Sequence, residues 1–220
     1  MAGAADSALA EDRARALALT PVSRETAARL DAFVELLLAR QSQLNLIAPS
    51  TIPTVWTRHI ADSLQLIELA PNAKTWIDLG SGAGFPGLVV ACAVADAGAT
   101  VHLIESTKKK ATFLSEAARH IGAPAQVHAV RIEDFVKKFE GPADVVTARA
   151  LAPLTTLLGL ARPLLKIGAV GLFPKGQDVE VELTQATKCW SFEPSFVPSK
   201  TNPQSRIVVV RSVEQRNSAR

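Results

Sequence analysis

The segment Thr75-Trp-Ile-Asp-Leu-Gly-Ser-Gly-Ala-Gly-Phe-Pro-Gly87 leaves this chain few folds to choose from. β-prone and apolar residues run into Asp78, glycines follow at positions 80, 82 and 84, and Pro86 precedes the apolar stretch Leu88 to Val94. This reads as a buried strand, a tight turn and a helix that begins near Pro86. Proline suits a first helical turn because its missing N–H would be unpaired there anyway. Glycine permits positive φ and lets the backbone approach a ligand closely. The turn delivers the chain to a helix N-terminus with unpaired N–H groups. A strand, a glycine turn and a helix in that order make a nucleotide-cofactor loop.

The charge at the loop selects the cofactor. Gly82-Ala-Gly84-Phe-Pro-Gly87 is a literal G-x-G-x-x-G, the dinucleotide fingerprint, which alone is weak. Asp78 at its mouth opposes a pyrophosphate, which needs positive potential there. It suits a cofactor that carries an ammonium and no phosphate, such as S-adenosylmethionine. The competing reading, a glycine turn that binds nothing, is disfavoured because so many glycines weaken a fold that gains nothing from them. Thr100 to Ile104 reads as a second strand ending at Glu105, where a carboxylate meets ribose hydroxyls in doubly wound folds. Glu105 also precedes a helix at Lys108 to His120, so it serves equally as a helix-start residue.

Composition fits a compact enzyme. The 220 residues are 48% hydrophobic, enough for one core with a small extension and too apolar for wholesale disorder. The net charge of +3 permits an anionic partner without requiring one. Cys92 and Cys189 stand far apart with no metal-ligand spacing, which implies free thiols in a reducing compartment and no metal. No apolar run approaches the ~20 residues of a membrane span. The Ala-rich start carries Asp6, Glu11, Asp12, Arg13 and Arg15, unlike a signal peptide, so a cytoplasmic location is expected.

Along the chain, residues 1 to about 20 read as frayed or loosely helical. Ser23 can cap a helix to about Gln41 whose apolar face is Leu30, Phe33, Val34, Leu37 and Leu38. A second helical stretch spans about Val55 to Leu69. Strands are expected at 75–79, 100–104, 126–130, 143–147, 169–173, 191–197 and 206–210. Helices are expected at 87–95, 108–120, 153–165 and 179–189. The alternation implies an α/β, Rossmann-like, mostly parallel sheet covered on both faces. The last two strands lack a helix between them and form a hairpin with one antiparallel strand. The expected division is a helical extension at 1–70, a cofactor-binding domain at 71–212 and a disordered tail at 213–220.

Ligands in such sheets bind beyond the carboxyl ends of the strands. That rule gathers Asp78, Glu105, Arg131-Ile-Glu-Asp134, Arg149 and Pro174-Lys-Gly-Gln177 on one rim. These segments, together with Leu44-Asn-Leu-Ile47, Arg58-His-Ile-Ala-Asp-Ser-Leu64, Lys109-Lys110, Phe113-Leu114 and Thr147-Ala-Arg-Ala-Leu-Ala-Pro153, carry a family likeness. The chain resembles the bacterial small-subunit (16S) rRNA guanine-N7 methyltransferases, also called glucose-inhibited division protein B, from about residue 25 to 210. The His59 and Arg149 segments are more specific than the glycine loop. Lys108, which extends the basic pair, and the Ala-rich start match nothing in the pattern.

The resemblance implies a class I methyltransferase with a seven-stranded sheet, S-adenosyl-L-methionine as cofactor, and 16S rRNA, free or within the small ribosomal subunit, as partner. It places Gly80, Phe85, Ile132, Glu133 and Arg149 at the cofactor. The residues themselves add Asp78, Gly82 and Glu105. Guanine N7 bears no proton, so no general base is expected, and Arg149 is the one catalytic candidate, by positioning. His59, Lys109, Lys110, Lys175 and Arg206 are the RNA-contact candidates. His59 faces the cofactor pocket or the RNA, or serves equally as a core or capping residue between Arg58 and Asp62; Lys108 to Lys110 serve equally as a solvated helix start, Lys175 as a residue with no phosphate role, and Arg206 as a solvated edge. A monomer is expected. A nicotinamide-dependent oxidoreductase, a methyltransferase of another RNA or small molecule, and a non-catalytic RNA-binding protein remain alternatives.

Overall fold

The computed structural model describes residues 2–216, with side chains from residue 7. Helix α1 (Ala2–Leu19) and helix α2 (Arg24–Leu44) open the chain. The first residues are therefore more ordered than expected. Asp12, only 1% exposed, accepts hydrogen bonds from the Trp56 N–H (2.9 Å), the Thr57 N–H (3.1 Å) and the Thr57 hydroxyl. A buried carboxylate that caps a distant segment ties α1 down. The Ser23 hydroxyl caps α2 by accepting from the Thr26 N–H, and Asn45 ends it at φ +47°, a conformation asparagine tolerates.

The stretch expected as one helix from 55 to 69 is a chain of short turns. A wide π turn (Trp56–Ala61) leads into α3 (Asp62–Leu64) and a 3-10 turn (Ile67–Leu69). The Ser63 hydroxyl donates to the His59 carbonyl at 2.6 Å and competes with the regular ladder there.

The strands and helices that follow are β1 (Thr75–Leu79), α4 (Gly87–Val94), β2 (Thr100–Ile104), α5 (Lys108–His120), β3 (Ala125–His128), α6 (Ile132–Lys138), β4 (Val145–Thr147), α7 (Leu154–Lys166), β5 (Val170–Lys175), α8 (Val179–Cys189), β6 (Trp190–Ser191), β7 (Ser195–Pro198), β8 (Arg206–Val210) and β9 (Glu214–Gln215). Seven of the strands form one sheet in the order β3-β2-β1-β4-β5-β8-β7. Strand β8 pairs antiparallel with both neighbours, and the remaining pairings are parallel. Order reverses between β1 and β4, which opens a crevice at their carboxyl ends.

Two expectations at the C-terminus need correction. The strand expected at 191–197 is split around Pro194, which cannot donate to a ladder. Its first half, β6, pairs with β9 in a separate two-stranded sheet. Residues 213–216 are therefore not a disordered tail: Val213 is buried and Glu214–Gln215 is paired. The rest of that expected tail, 217–220, lies outside the described residues, as does Met1. Helix α6 was not expected.

Alternating side chains divide the core. Trp76, Val101 and Leu103 face α2, α4 and α5, while Ile77, Leu79 and Val146 face α6, α7 and α8. Parallel strands buried on both faces require such near-continuous apolar runs.

Candidate active site

The register of β1 sets the floor of the crevice. Asp78 stands beside Thr147 on β4, and the Thr147 hydroxyl donates to its carboxylate at 3.0 Å. The other oxygen accepts from the Gly87 N–H at 3.1 Å, at the start of α4. Asp78 is 1% exposed and does not line the cleft. This corrects its expected role as a cofactor contact. It holds the loop from beneath, and burial pushes its pKa up to about 6, against the opposing hydrogen bonds of Ser81, Thr147 and Gly87.

Above it the loop runs through Gly80 (φ +70°), Gly82 (φ +54°) and Gly84 (φ +98°). A side chain on Gly80 would meet Leu151 Cδ1 at 2.5 Å, and one on Gly84 would meet Leu88 Cδ1 at 2.6 Å. Left-handed backbone at these alternate positions favours glycine at all three, and tight packing requires it at Gly80 and Gly84. Glu105 follows β2 at the cleft. One of its oxygens accepts from the Gly82 N–H (3.0 Å), the other from the Thr107 N–H at the start of α5 (2.7 Å). The helix-start reading of Glu105 holds in geometry, and each carboxylate oxygen keeps a second lone pair toward the cleft.

The cleft encloses about 550 Å³. Gly80, Gly82, Phe85, Glu105, Ile132, Glu133 and Arg149 line it, as do His59 and Lys110. So do Leu46, Ile47 and Ala48, which close it from the N-terminal side. Of the expected residues, Asp78, Lys109, Lys175 and Arg206 are absent from its wall.

Arg149 crosses the crevice. Its guanidinium donates to His59 Nδ1 (2.7 Å), the Arg58 carbonyl (3.2 Å) and Asp62 (3.4 Å), and lies 5.2 Å from the centre of the Phe85 ring. The His59 ring stacks on Phe85 at 4.8 Å. Burial lowers the Arg149 pKa from its ordinary value, with Asp62 acting the other way. The next residue, Ala150, sits at φ +52°, which costs a non-glycine residue about 1–2 kcal/mol. Such strain persists only where the surroundings over-determine the backbone.

His59 is 8% exposed, and both ring nitrogens are engaged, Nδ1 by Arg149 and Nε2 by the Thr51 hydroxyl at 3.0 Å. Burial, then the charges of Arg149 and Arg58, push its pKa down to about 3. It is a neutral packing partner rather than the expected RNA contact. Lys175 is corrected too. Its ammonium, 10% exposed, donates to the Ala152 carbonyl (2.8 Å) and to Glu182 (2.7 Å), pinning the loop that bears Arg149. A lysine this enclosed needs a carboxylate, not a diffusing phosphate.

The basic helix start is different. Lys108, Lys109 and Lys110 occupy the first turn of α5 with no acidic residue among them, and Lys108 and Lys109 are exposed. Cations there oppose the helix dipole. Arg206, half-buried, lies opposite Lys175 and Pro198 toward the sheet edge. Sequence reading missed Thr51, Asp62 and Ala150. Asp62 lay within a noted motif, whereas no local signal marks Thr51 or the left-handed Ala150. No group of three or more metal-ligating side chains is present among the described residues.

Ribosomal RNA small subunit methyltransferase G from Bradyrhizobium sp. (strain BTAi1) is 58% identical over 214 residues, covering 97% of this chain and 96% of the relative. The protein of the same name from Nitrobacter hamburgensis is 58% identical over 209 residues, 94% of this chain and 80% of its own. Among solved structures, a SAM-dependent O-methyltransferase from Thermotoga maritima superposes with a TM-score of 0.54 at 13% identity, over 83% of this chain and 73% of that one. A cofactor-bound protein from MTB gives 0.59 at 15% identity, over 84% and 90%. These two likenesses establish the fold. Residues 26–208 match the family described as rRNA small subunit methyltransferase G, and with relatives this similar over nearly its whole length the chain belongs to that family.

Proposed function

We propose that the cleft binds S-adenosyl-L-methionine and that the protein transfers a methyl group to N7 of one guanine in 16S rRNA. The observation that carries this reading is the convergence of the glycine loop, Glu105 and Arg149 at the switch point of the sheet, in a member of an rRNA methyltransferase family. The residues fit the cofactor. Gly80 and Gly82 let its amino-acid portion approach the backbone, Glu105 keeps lone pairs for ribose hydroxyls, and Ile132 and Glu133 flank the far end. When bound, the cofactor supplies an activated methyl group on a sulfonium.

The chain's own contribution is binding and alignment. N7 of guanine carries a lone pair and no proton, so its methylation needs no base. The only histidine in the cleft wall is held neutral with both nitrogens occupied, and is no base at neutral pH. That supports N7 over an acceptor that must lose a proton. Holding N7 in line with the methyl group is worth up to ~7–11 kcal/mol in favourable cases. The major groove of A-form RNA is too deep and narrow to read, so the target guanine is presented in a loop, a junction or a deformed helix.

The extension, 1–70, supplies one wall of the cleft through Leu46 to Ala48 and His59, and the catalytic domain, 71–212, the others. One chain completes the cleft, which supports a monomer. No helix among the described residues is long and apolar enough to cross a membrane. The family assignment removes the basis for the nicotinamide reading of the glycine motif.

The test is methyl transfer from labelled cofactor to small-subunit rRNA, free and within purified small subunits, followed by strand scission chemistry selective for N7-methylguanine. One cleaved guanine in one of the two substrates is expected. Label on another atom or on no RNA overturns the reading.

A further inference from the structure

A line of hydrogen bonds runs from one wall of the cleft to the other with its direction fixed at both ends. Arg149 begins it, and a guanidinium only donates. His59 Nδ1 must therefore accept, at 2.7 Å. An imidazole that accepts at Nδ1 carries its proton on Nε2, so Nε2–H donates to the Thr51 hydroxyl oxygen at 3.0 Å. Thr51 passes its own proton to the Ala48 carbonyl at 2.8 Å, and a carbonyl only accepts. One tautomer and one rotor satisfy the whole line. Ala48 and Arg149 are both cleft residues, whereas Thr51 stands outside it in a short turn (Pro49–Thr54).

We infer that Thr51 and His59 are positioning residues for methyl transfer: His59 serves as a fixed neutral acceptor that aims Arg149, and Thr51 holds the imidazole in that orientation by accepting from its Nε2–H. The Phe85 ring supports the arrangement by carrying His59 on its face with Arg149 beside it. Asp62 holds the guanidinium from the other side, and is itself anchored by Thr201 at 3.0 Å and Gln65 at 3.0 Å. The N-terminal extension thus sets the geometry of an arginine that belongs to the catalytic sheet. The inference rests on the reading that Arg149 serves the cleft.

Thr51→Val keeps the shape of the side chain and removes the acceptor for Nε2–H. The Nε2–H resonance of the His59 ring should then shift and exchange faster with solvent, while Arg149 keeps Nδ1 an acceptor. The kcat/KM for RNA methylation should fall by roughly 2- to 12-fold, the range expected for one net hydrogen bond, with the fold intact by far-UV circular dichroism. Thr51→Ser should restore both. His59→Asn, which places an amide oxygen where Nδ1 stood, should retain more activity than His59→Leu. In an Arg149→Met background, Thr51→Val should cause no additional loss.

The inference is overturned if Thr51→Val leaves the Nε2–H resonance and kcat/KM as they were. It is also overturned if Thr51→Val costs as much in the Arg149→Met background as in the native one, which would assign Thr51 to the fold alone. Native activity in Arg149→Met itself would instead refute the underlying reading of Arg149. If His59→Leu fails to fold, the Thr51 pair still decides.

Discussion

Asp78 is a buried carboxylate whose main partners are neutral, and its removal should change how stability responds to pH. Burial raises its pKa from 3.8 to about 6. A group whose folded pKa lies above its unfolded one stabilises the fold most below the unfolded value. That contribution is lost as pH rises to the folded value. At about 1.4 kcal/mol per unit, the whole span is worth about 3 kcal/mol. About 2 kcal/mol of it falls between pH 4.5 and 7 by the same linkage. His59 has the opposite sign. Its pKa is lowered from 6.5 to about 3, so its contribution is present above pH 6.5 and lost as pH falls. The two partly cancel in the native protein, and only a difference measurement isolates Asp78. Asp78→Asn is the suitable change. Its amide oxygen can accept from the Gly87 N–H and its NH2 can donate to a reoriented Thr147 hydroxyl, replacing both bonds of the carboxylate. Urea unfolding followed by far-UV circular dichroism should be run on both proteins from pH 4.5 to 7. The variant should gain about 2 kcal/mol relative to the native protein across that range. Parallel stability curves would refute the assignment of a raised pKa to Asp78.

Two further outcomes follow from the cleft. Gly82→Val should fold and lose the cofactor: its Cβ meets nothing nearer than the Gly80 carbonyl oxygen at 3.7 Å, but φ +54° is strained for a β-branched residue and the side chain enters the cleft; unchanged affinity for S-adenosylhomocysteine by calorimetry counts against the loop assignment. Replacing Lys109 and Lys110 together by Ala should flatten the slope of log RNA affinity against log salt by roughly 1.4 to 1.8, at about 0.7–0.9 per phosphate contact, while cofactor affinity stays the same; an unmoved slope would make this an ordinary solvated helix start.

What could be read in advance followed local rules. The glycine spacing announced the loop because left-handed backbone has few tenants, and Ser23 announced α2 because a cap needs a short acceptor side chain. Glu105 was legible because it ends an apolar strand. Helix α6 was overlooked although Glu133 and Asp134 begin it and Lys137 and Lys138 close it, a charge order that complements the helix dipole. Other facts are not local. That Asp78 turns under the loop depends on β1 lying beside β4 with Thr147 in register. That Lys175 is spent on Glu182 and Ala152 depends on how α8 folds back over β5. The same holds for His59, whose partners Thr51, Phe85 and Arg149 come from three separate segments.

The corrections share a physical cause that also explains how the site works. The candidates then found enclosed have their partners inside: Asp78 in two neutral donors, Lys175 in Glu182, and His59, its pKa pushed down to about 3, in Arg149 and Thr51. A titrating group near the methyl donor would be idle in a reaction that moves no proton. It would also add a charge that the transfer does not require. What the proposed transfer would use is a fixed cation at Arg149, a fixed acceptor opposite it, and a loop rigid enough to keep a nucleophile in line. At His59 burial supplies that rigidity, since an imidazole whose pKa is pushed down to about 3 stays neutral and keeps accepting from Arg149 when pH drifts about neutrality. The exposed Lys108 and Lys109 at the start of α5 are different, because their charges are open to solvent and are not spent inside the fold, and the salt dependence of RNA affinity is what tests them as phosphate contacts.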